Sequence, residues 1–268
     1  MRRKYTYPLL MMIAVTLIFL VERYLDDQEK EKYVVASEEP KSLELNFFLP
    51  ASTTNQIIHH DNYSLEYNEE AEQASWVAYT LRKDQLDGIN LNRPYFEIDP
   101  AVKTGAAHWR NYKNSGYNRG HLCPAGDRTF SEEAYVETFL TSNISPQLRE
   151  FNTGVWNKLE NQIRDWAREY NEVTVITGGV LDNPIAKIGD EEVYVPSAFY
   201  KIVIRKTQSD FTALAFLIPH SESEKELKSF VVTIDKVESI TELDFFPQLK
   251  DEIESKIEAS SSASGWKF

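Results

Sequence analysis

The sequence predicts an α+β domain, an antiparallel central sheet flanked by helices, and three observations carry that prediction. Apolar strand-like runs and helical stretches are interspersed without a regular β-α alternation. The longest helical stretch, "NTGVWNKLENQIRDWAREY", has a stripe: at about 100° per residue, Trp156, Leu159, Ile163 and Trp166 fall within roughly 80° of one another. A chain of 268 residues that is 42% hydrophobic and 12% aromatic can bury one sizeable core and lacks the composition of a disordered protein.

The chain opens on "MRRKYTYPLLMMIAVTLIFLVERYLDD". Arg2, Arg3 and Lys4 precede an apolar run from Leu9 to Val21, closed by Glu22. The run is shorter than the ~20 residues of a full span, and Tyr5 and Tyr7 can extend it into the interface. No small-x-small cleavage site follows, so residues 1–21 read as a signal anchor in preference to a cleaved signal peptide. Basic residues on the N-terminal side keep that end cytoplasmic and export the remainder. The expected location is the outer side of the inner membrane, or outside the cell if the leader is cut. Residues 22–45 are charge-dense and read as a solvated linker. The folded domain is placed at 46–258, and 259–268 reads as a flexible tail.

Within the domain, the alternating residues Trp76 to Leu81 predict a strand. Ser131 followed by Glu132 and Glu133 marks a helix start. "EVTVITGGVL" reads as a buried strand stopped by Gly178 and Gly179. "VYVPSAFYKIVIRK" and "FTALAFLIP" read as two more strands joined by "TQSD". "TIDKVESITEL" and "PQLKDEIESKIEAS" read as helices. Asn152 is a polar residue in the middle of the long helix's apolar stripe, and it needs a partner. It is either an N-cap or a ligand.

A net charge of -13 and a pI near 4.9 argue against coating nucleic acid through bulk charge. Between positions 103 and 128, however, Lys103, Arg110, Lys113, Arg119 and Arg128 face only Asp127, a local strip able to hold phosphate. Cys123 is the single cysteine, which excludes an intramolecular disulfide and a cysteine metal cluster; it reads as a packing residue. His59, His60, His108 and His220 read as loop or strand-end residues.

"SGYNRGHLCPAGDR", residues 115–128, sets His121 among arginines and glycines. Hydrolysis of a phosphodiester needs a base that works near neutral pH, and histidine suits it. It also needs positive charge on the developing phosphorane, from arginine or a divalent cation. Magnesium takes oxygen ligands and keeps several waters, so one asparagine carbonyl can hold it. His121, Asn143 in "SNISPQ", Asn152, Glu160 and Arg164 are the residues on offer. Their spacing alone does not show that they converge.

"YNRGHLCPAGDR" followed by "FLTSNISPQLREFNTGVWNKLE" resembles the DNA/RNA non-specific endonucleases, the endonuclease G-like ββα-metal nucleases, whose motifs are D-R-G-H, S-N-x-x-P-Q and N-x-G-x-W in that order. The likeness continues through "SWVAYTL", "TGGVL", "VPSAFYKIVI" and "LDFFP", most of residues 56–250. It implies the ββα-metal fold and Mg2+-dependent hydrolysis of DNA and RNA with little sequence preference, Mn2+ substituting. It implies His121 as general base, open to substrate on a glycine-turned hairpin, and Asn152 as the direct metal ligand. Glu160 would orient metal-bound water, Arg119 and Arg164 would meet the phosphate, and Asn143 would position the histidine. Arg93 matches a further phosphate-binding arginine after a one-residue shift. Asn118 departs from the family's aspartate, keeping the size and an acceptor oxygen and losing the charge. Two other functions stay open: a catalytically weakened nucleic-acid-binding member, and a phosphodiesterase for another substrate. The N-terminal segment implies the membrane as a further partner.

Overall fold

The computed structural model describes residues 43–207 and 211–268, with positions 12, 16, 17, 20 and 21. The anchor reading and nearly all of the linker therefore lie outside the described residues, as does most of the "TQSD" turn. Among the described residues no helix is long and apolar enough to cross a membrane. In chain order the elements are α1 (Leu43–Asn46), β1 (Ile57–His59), β2 (Ser64–Asn68), β3 (Gln73–Arg82), β4 (Asn118–His121), α2 (Glu132–Glu137), β5 (Ile144–Gln147), α3 (Arg149–Phe151), α4 (Asn157–Tyr170), β6 (Glu172–Gly179), β7 (Ala186–Ile188), β8 (Val193–Val195), β9 (Ala198–Lys206), β10 (Phe211–Pro219), β11 (Val231–Val232), α5 (Ile234–Thr241) and α6 (Asp251–Glu258).

Seven strands form one sheet in the order β1-β2-β3-β6-β9-β10-β11, every pair antiparallel. Period-2 alternation gives it two buried faces. Val77, Tyr79, Val175, Val203 and Leu214 pack under Trp156, Leu159, Ile163 and Trp166, the stripe of α4. Trp76, Ala78, Ile176, Ile202 and Ala215 face the other way, against Ile234, Val237 and Ile257 of α5 and α6. β4 and β5 stand apart as a two-stranded ribbon, and β7 and β8 as another.

Several local expectations hold for the reasons given. The Ser131 side chain accepts from the Ala134 N–H at 3.1 Å and caps α2. Thr233 does the same for α5 with the Lys236 N–H at 3.1 Å. Others are corrected. "VYVPSAFYKIVIRK" is two strands, β8 and β9, because Pro196 between them has no N–H to continue a ladder. Asn152 is no N-cap: it has helical dihedrals (φ -60°, ψ -47°) just past α3. A wide turn over Asn152–Trp156, kinked at Gly154, joins α3 to α4. Leu45 is buried in the second core, so the end of the expected linker belongs to the fold.

The tail reading is also corrected. Trp266 is buried, its ring edge-on to Trp166 with centroids 4.8 Å apart. The Lys267 carbonyl accepts from Gln162 Nε2 at 3.0 Å and from Trp166 Nε1. The Trp266 ring and the hydrogen bonds to the Lys267 and Gly265 carbonyls together dock the segment on α4.

Two histidines prove to be structural anchors. His220 accepts from the Leu148 N–H at 2.7 Å through Nε2 and donates from Nδ1 to the Pro196 carbonyl at 2.9 Å. It thereby ties the β8–β9 junction to the start of α3. His60 is buried, with Nε2 2.8 Å from Asp99 Oδ2, and Ser142 Oγ donates to the same oxygen. Burial pulls the imidazole down, but Asp99, with Glu137 and Asp61, holds it above its ordinary value. Burial likewise opposes the Asp99 carboxylate, yet His60 and Ser142 hold it below its ordinary value. A raised histidine stabilises below about 6.5 and loses that contribution as pH rises through its folded pKa; a lowered aspartate stabilises above about 3.9 and loses it as pH falls. The pair therefore contributes most between roughly pH 4 and 6.5. Urea midpoints measured across pH should fall on both sides of this window in the parent. In Asp99→Asn that part of the profile should flatten; an unchanged profile would contradict the pairing.

Candidate active site

The ribbon sets the first part of the site. Gly120 pairs with Ser145 and His121 with Ile144. A Cβ at Gly120 would come within 2.1 Å of Gln147 Oε1 and 2.6 Å of its Cγ, so any other residue there must push the buried Gln147 side chain aside. The two strands are joined by residues 122–143, including α2, and not by the tight hairpin turn expected. Asn143 closes that long loop. Its Oδ1 accepts from the Cys123 N–H at 2.8 Å, and its Nδ2 donates to the Cys123 and Thr138 carbonyls at 3.0 and 2.9 Å. Asn143 thus fixes the backbone two residues beyond His121, without touching the imidazole.

His121 lies against Phe96 and Phe139, with ring centroids 5.4 and 4.9 Å away. The open imidazole expected from the resemblance is in fact half-buried and flanked on two sides, and its buried Nε2 has no hydrogen-bond partner among the described residues. Burial, and then the Arg93 guanidinium, push its pKa down to about 3. Arg119 lies over Phe96 at 5.0 Å, and Arg93 over Phe96 and Phe139 at 5.7 and 5.6 Å. Both guanidinium groups are exposed. The aromatic pair therefore gathers His121, Arg119 and Arg93 at one spot. Asn118, the departure, is half-buried and pairs across the ribbon with Gln147. No carboxylate is among the groups that set the His121 proton affinity.

The helix carries the second part. Asp127, buried just after the His121 strand, accepts from Arg164 Nε at 2.6 Å and from the Tyr79 hydroxyl at 3.2 Å. Arg164 Nη1 donates to Asn161 at 2.8 Å, and its Nη2 is 3.9 Å from Glu160 Oε2. Glu160 is raised to about 7, first by burial and then by Asp127, against the pull of Lys201 and Arg164. Lys201, which sequence reasoning passed over, is fully buried. Its Nζ donates to Thr177 Oγ1 at 3.1 Å and to the Leu122 carbonyl at 3.4 Å, and lies 4.5 Å from the Trp156 ring centroid. Burial lowers its pKa. It links the residue beside His121 to the helix bearing Glu160. The signal was available: alternation in β9 puts Lys201 on the face of Phe199 and Val203, under α4. Gln147 was also missed; its side-chain amide is buried with neither atom partnered.

β5 leads through Leu148 into α3 and so to Asn152, whose half-buried side chain has no hydrogen bond among the described residues. His121 and Asn152 share no direct hydrogen bond there either; the strand pairing and the Leu122–Lys201 link hold ribbon and helix together. Two antiparallel strands followed by a helix form a ββα unit, and residues 45–252 match the family model described as DNA/RNA non-specific endonuclease.

The chain belongs to the DNA/RNA non-specific endonuclease family. It is 34% identical over 221 residues to the mitochondrial nuclease EXOG of Danio rerio, covering 76% of this chain and 64% of that protein. Over 244 residues it is 34% identical to EXOG of Xenopus laevis, covering 84% and 67%. Human mitochondrial endonuclease G is 30% identical over 209 residues, covering 72% and 70%. The chain thus spans about two thirds of the length of these relatives. A chain of the crystal structure of the EndoG/EndoGI complex, which addresses EndoG inhibition, superposes with a TM-score of 0.71 at 26% identity, covering 78% of this chain and 92% of that one. The family fold accounts for the antiparallel central sheet with the ββα unit on one face.

Proposed function

We propose that this member of the endonuclease family hydrolyses phosphodiester bonds in DNA and RNA with little sequence preference, using His121 as general base. The observation that carries this reading is the Nε2 of a neutral imidazole, unpartnered among the described residues, on the same aromatic pair that two exposed arginines, Arg93 and Arg119, lie against. Arg119 and Arg93 hold the phosphate, and because such contacts go to the backbone and not the bases, they do not discriminate sequence. An anionic phosphate beside His121 offsets the Arg93 charge and raises the imidazole's proton affinity. With substrate and water admitted to it, Nε2 takes a proton from water as its oxygen attacks phosphorus; the P–O bond to the leaving oxygen breaks, that oxygen takes a proton from solvent, and His121 returns its own proton to solvent. Arg164 spends its Nε–H on Asp127 and one Nη1–H on Asn161, which leaves the other Nη1–H and the Nη2 hydrogens, on the side of Glu160, for the phosphate. Asn143 and Lys201 hold the backbone on which His121 rides.

Asn152, at the start of the wide turn and unpartnered among the described residues, and half-buried Glu160, in the first turn of α4, are oxygen donors of the kind Mg2+ takes. When bound, Mg2+ supplies charge stabilisation for the phosphorane and the leaving oxygen. The basic-apolar leader supports an exported, membrane-anchored domain. Asn118 favours a second reading, a nucleic-acid-binding member with weakened turnover. The purified protein should nick and linearise plasmid and degrade RNA in Mg2+ or Mn2+, and stop in EDTA. Plasmid retention in a gel without cutting would establish the second reading instead. A small chromogenic diester cut faster than plasmid would point to another substrate.

A further inference from the structure

The sheet face away from α4 carries a carboxylate group that the proposed hydrolysis does not use. Asp235 and Glu238 on α5 and Glu258 at the end of α6 each offer an oxygen, and these oxygens lie within 4.8 Å of one another. Three acids close together are common on an acidic surface, and by themselves signify little. Glu258 is different: it is only 8% exposed, and its buried Oε1 has no hydrogen-bond partner among the described residues. Glu238 is oriented by the Phe245 N–H, which donates to its Oε1 at 2.8 Å. An unpaired buried carboxylate ringed by other acids is costly, and a cation at its open oxygen removes both the repulsion and the missing contact.

We propose that Asp235, Glu238 and Glu258 form a calcium site that fastens α6 to α5. The donors are all carboxylate oxygens, which select a hard divalent cation. Ca2+ accepts irregular sets of carboxylate oxygens at about 2.3–2.6 Å, whereas Mg2+ demands near-octahedral geometry at about 2.1 Å and prefers to keep its waters. The site is independent of the proposed hydrolysis and serves stability. α6 runs straight into the segment that seats Trp266 on Trp166, so a cation between α5 and α6 also steadies the strap over the catalytic helix.

The test uses the full chain carrying Asn152→Ala, which removes the direct ligand assigned to the catalytic cation. Titration calorimetry and thermal melts with CaCl2 should show one Ca2+ per chain, a dissociation constant of about 10⁻³ M or tighter, and a melting temperature that rises with Ca2+. Glu258→Gln and Asp235→Asn, each in that background, should weaken binding at least about tenfold and remove the thermal response. Asp235 is exposed, so its variant reports even if Glu258→Gln folds poorly. No Ca2+ response, or one that persists in Asp235→Asn, overturns the site. An equal response to Mg2+ overturns its assignment to calcium.

Discussion

Replacing His121 by alanine should lower plasmid cleavage by roughly 10²–10⁴-fold, the range lost with a general base. The imidazole also packs on Phe96 and Phe139, so the variant should melt somewhat below the parent while remaining folded at assay temperature. His121→Gln, which keeps more of that packing, should recover stability but not activity. A His121→Ala protein that cuts at the parental rate would remove the basis of the proposed mechanism. The pH profile gives a second reading of the same residue. A base must be unprotonated, so kcat/KM falls as pH drops through its free-enzyme pKa. With His121 pushed down to about 3, its acid limb should lie far below the ordinary histidine range. An additional limb near 7 would belong to Glu160, which ionises as pH rises through that value, and should vanish in Glu160→Gln.

The largest loss of stability is expected at Asp127. Its buried carboxylate holds Arg164 Nε and the Tyr79 hydroxyl at once. Asp127→Ala strands a mostly buried guanidinium and a fully buried phenol, and breaking such a pair costs about 3–5 kcal/mol. The urea midpoint should move accordingly, and cleavage should fall with it, because Arg164 loses the partner that fixes its direction. A change below about 1 kcal/mol would show that water replaces the carboxylate and that the contact is incidental.

What could be read in the sequence was local. The stripe of Trp156, Leu159, Ile163 and Trp166 is buried as its spacing implies, because a helix's inward face repeats every three or four residues. Ser131 and the run Glu172–Gly179 behaved likewise. The motif residues His121, Arg119 and Arg93 meet on one aromatic pair, although nothing in their spacing showed it. What escaped was long-range or depended on a single irregularity. His60 and Asp99 are 39 positions apart, and no periodicity connects them. The serine-rich end looked solvated until Trp266 found Trp166. Lys201 hid in an apolar strand because a lone cation there reads as an edge residue, yet its partners come from three separate elements. Pro196, by contrast, was plain in the sequence, and its missing N–H should have split the strand.

The broadened turn at 152–156 makes the site sensitive to deletion. A turn that holds one residue more than its neighbours resets the angular phase of everything before it by about 100°. Excising Gly154 would leave a smoother helix with its tryptophans seated as before, but Asn152 would swing to a new bearing relative to α4. Under the proposed role of Asn152, deletion of one residue in this short window should abolish metal-dependent cleavage, whereas substitutions on the outer surface of α4 should leave it intact.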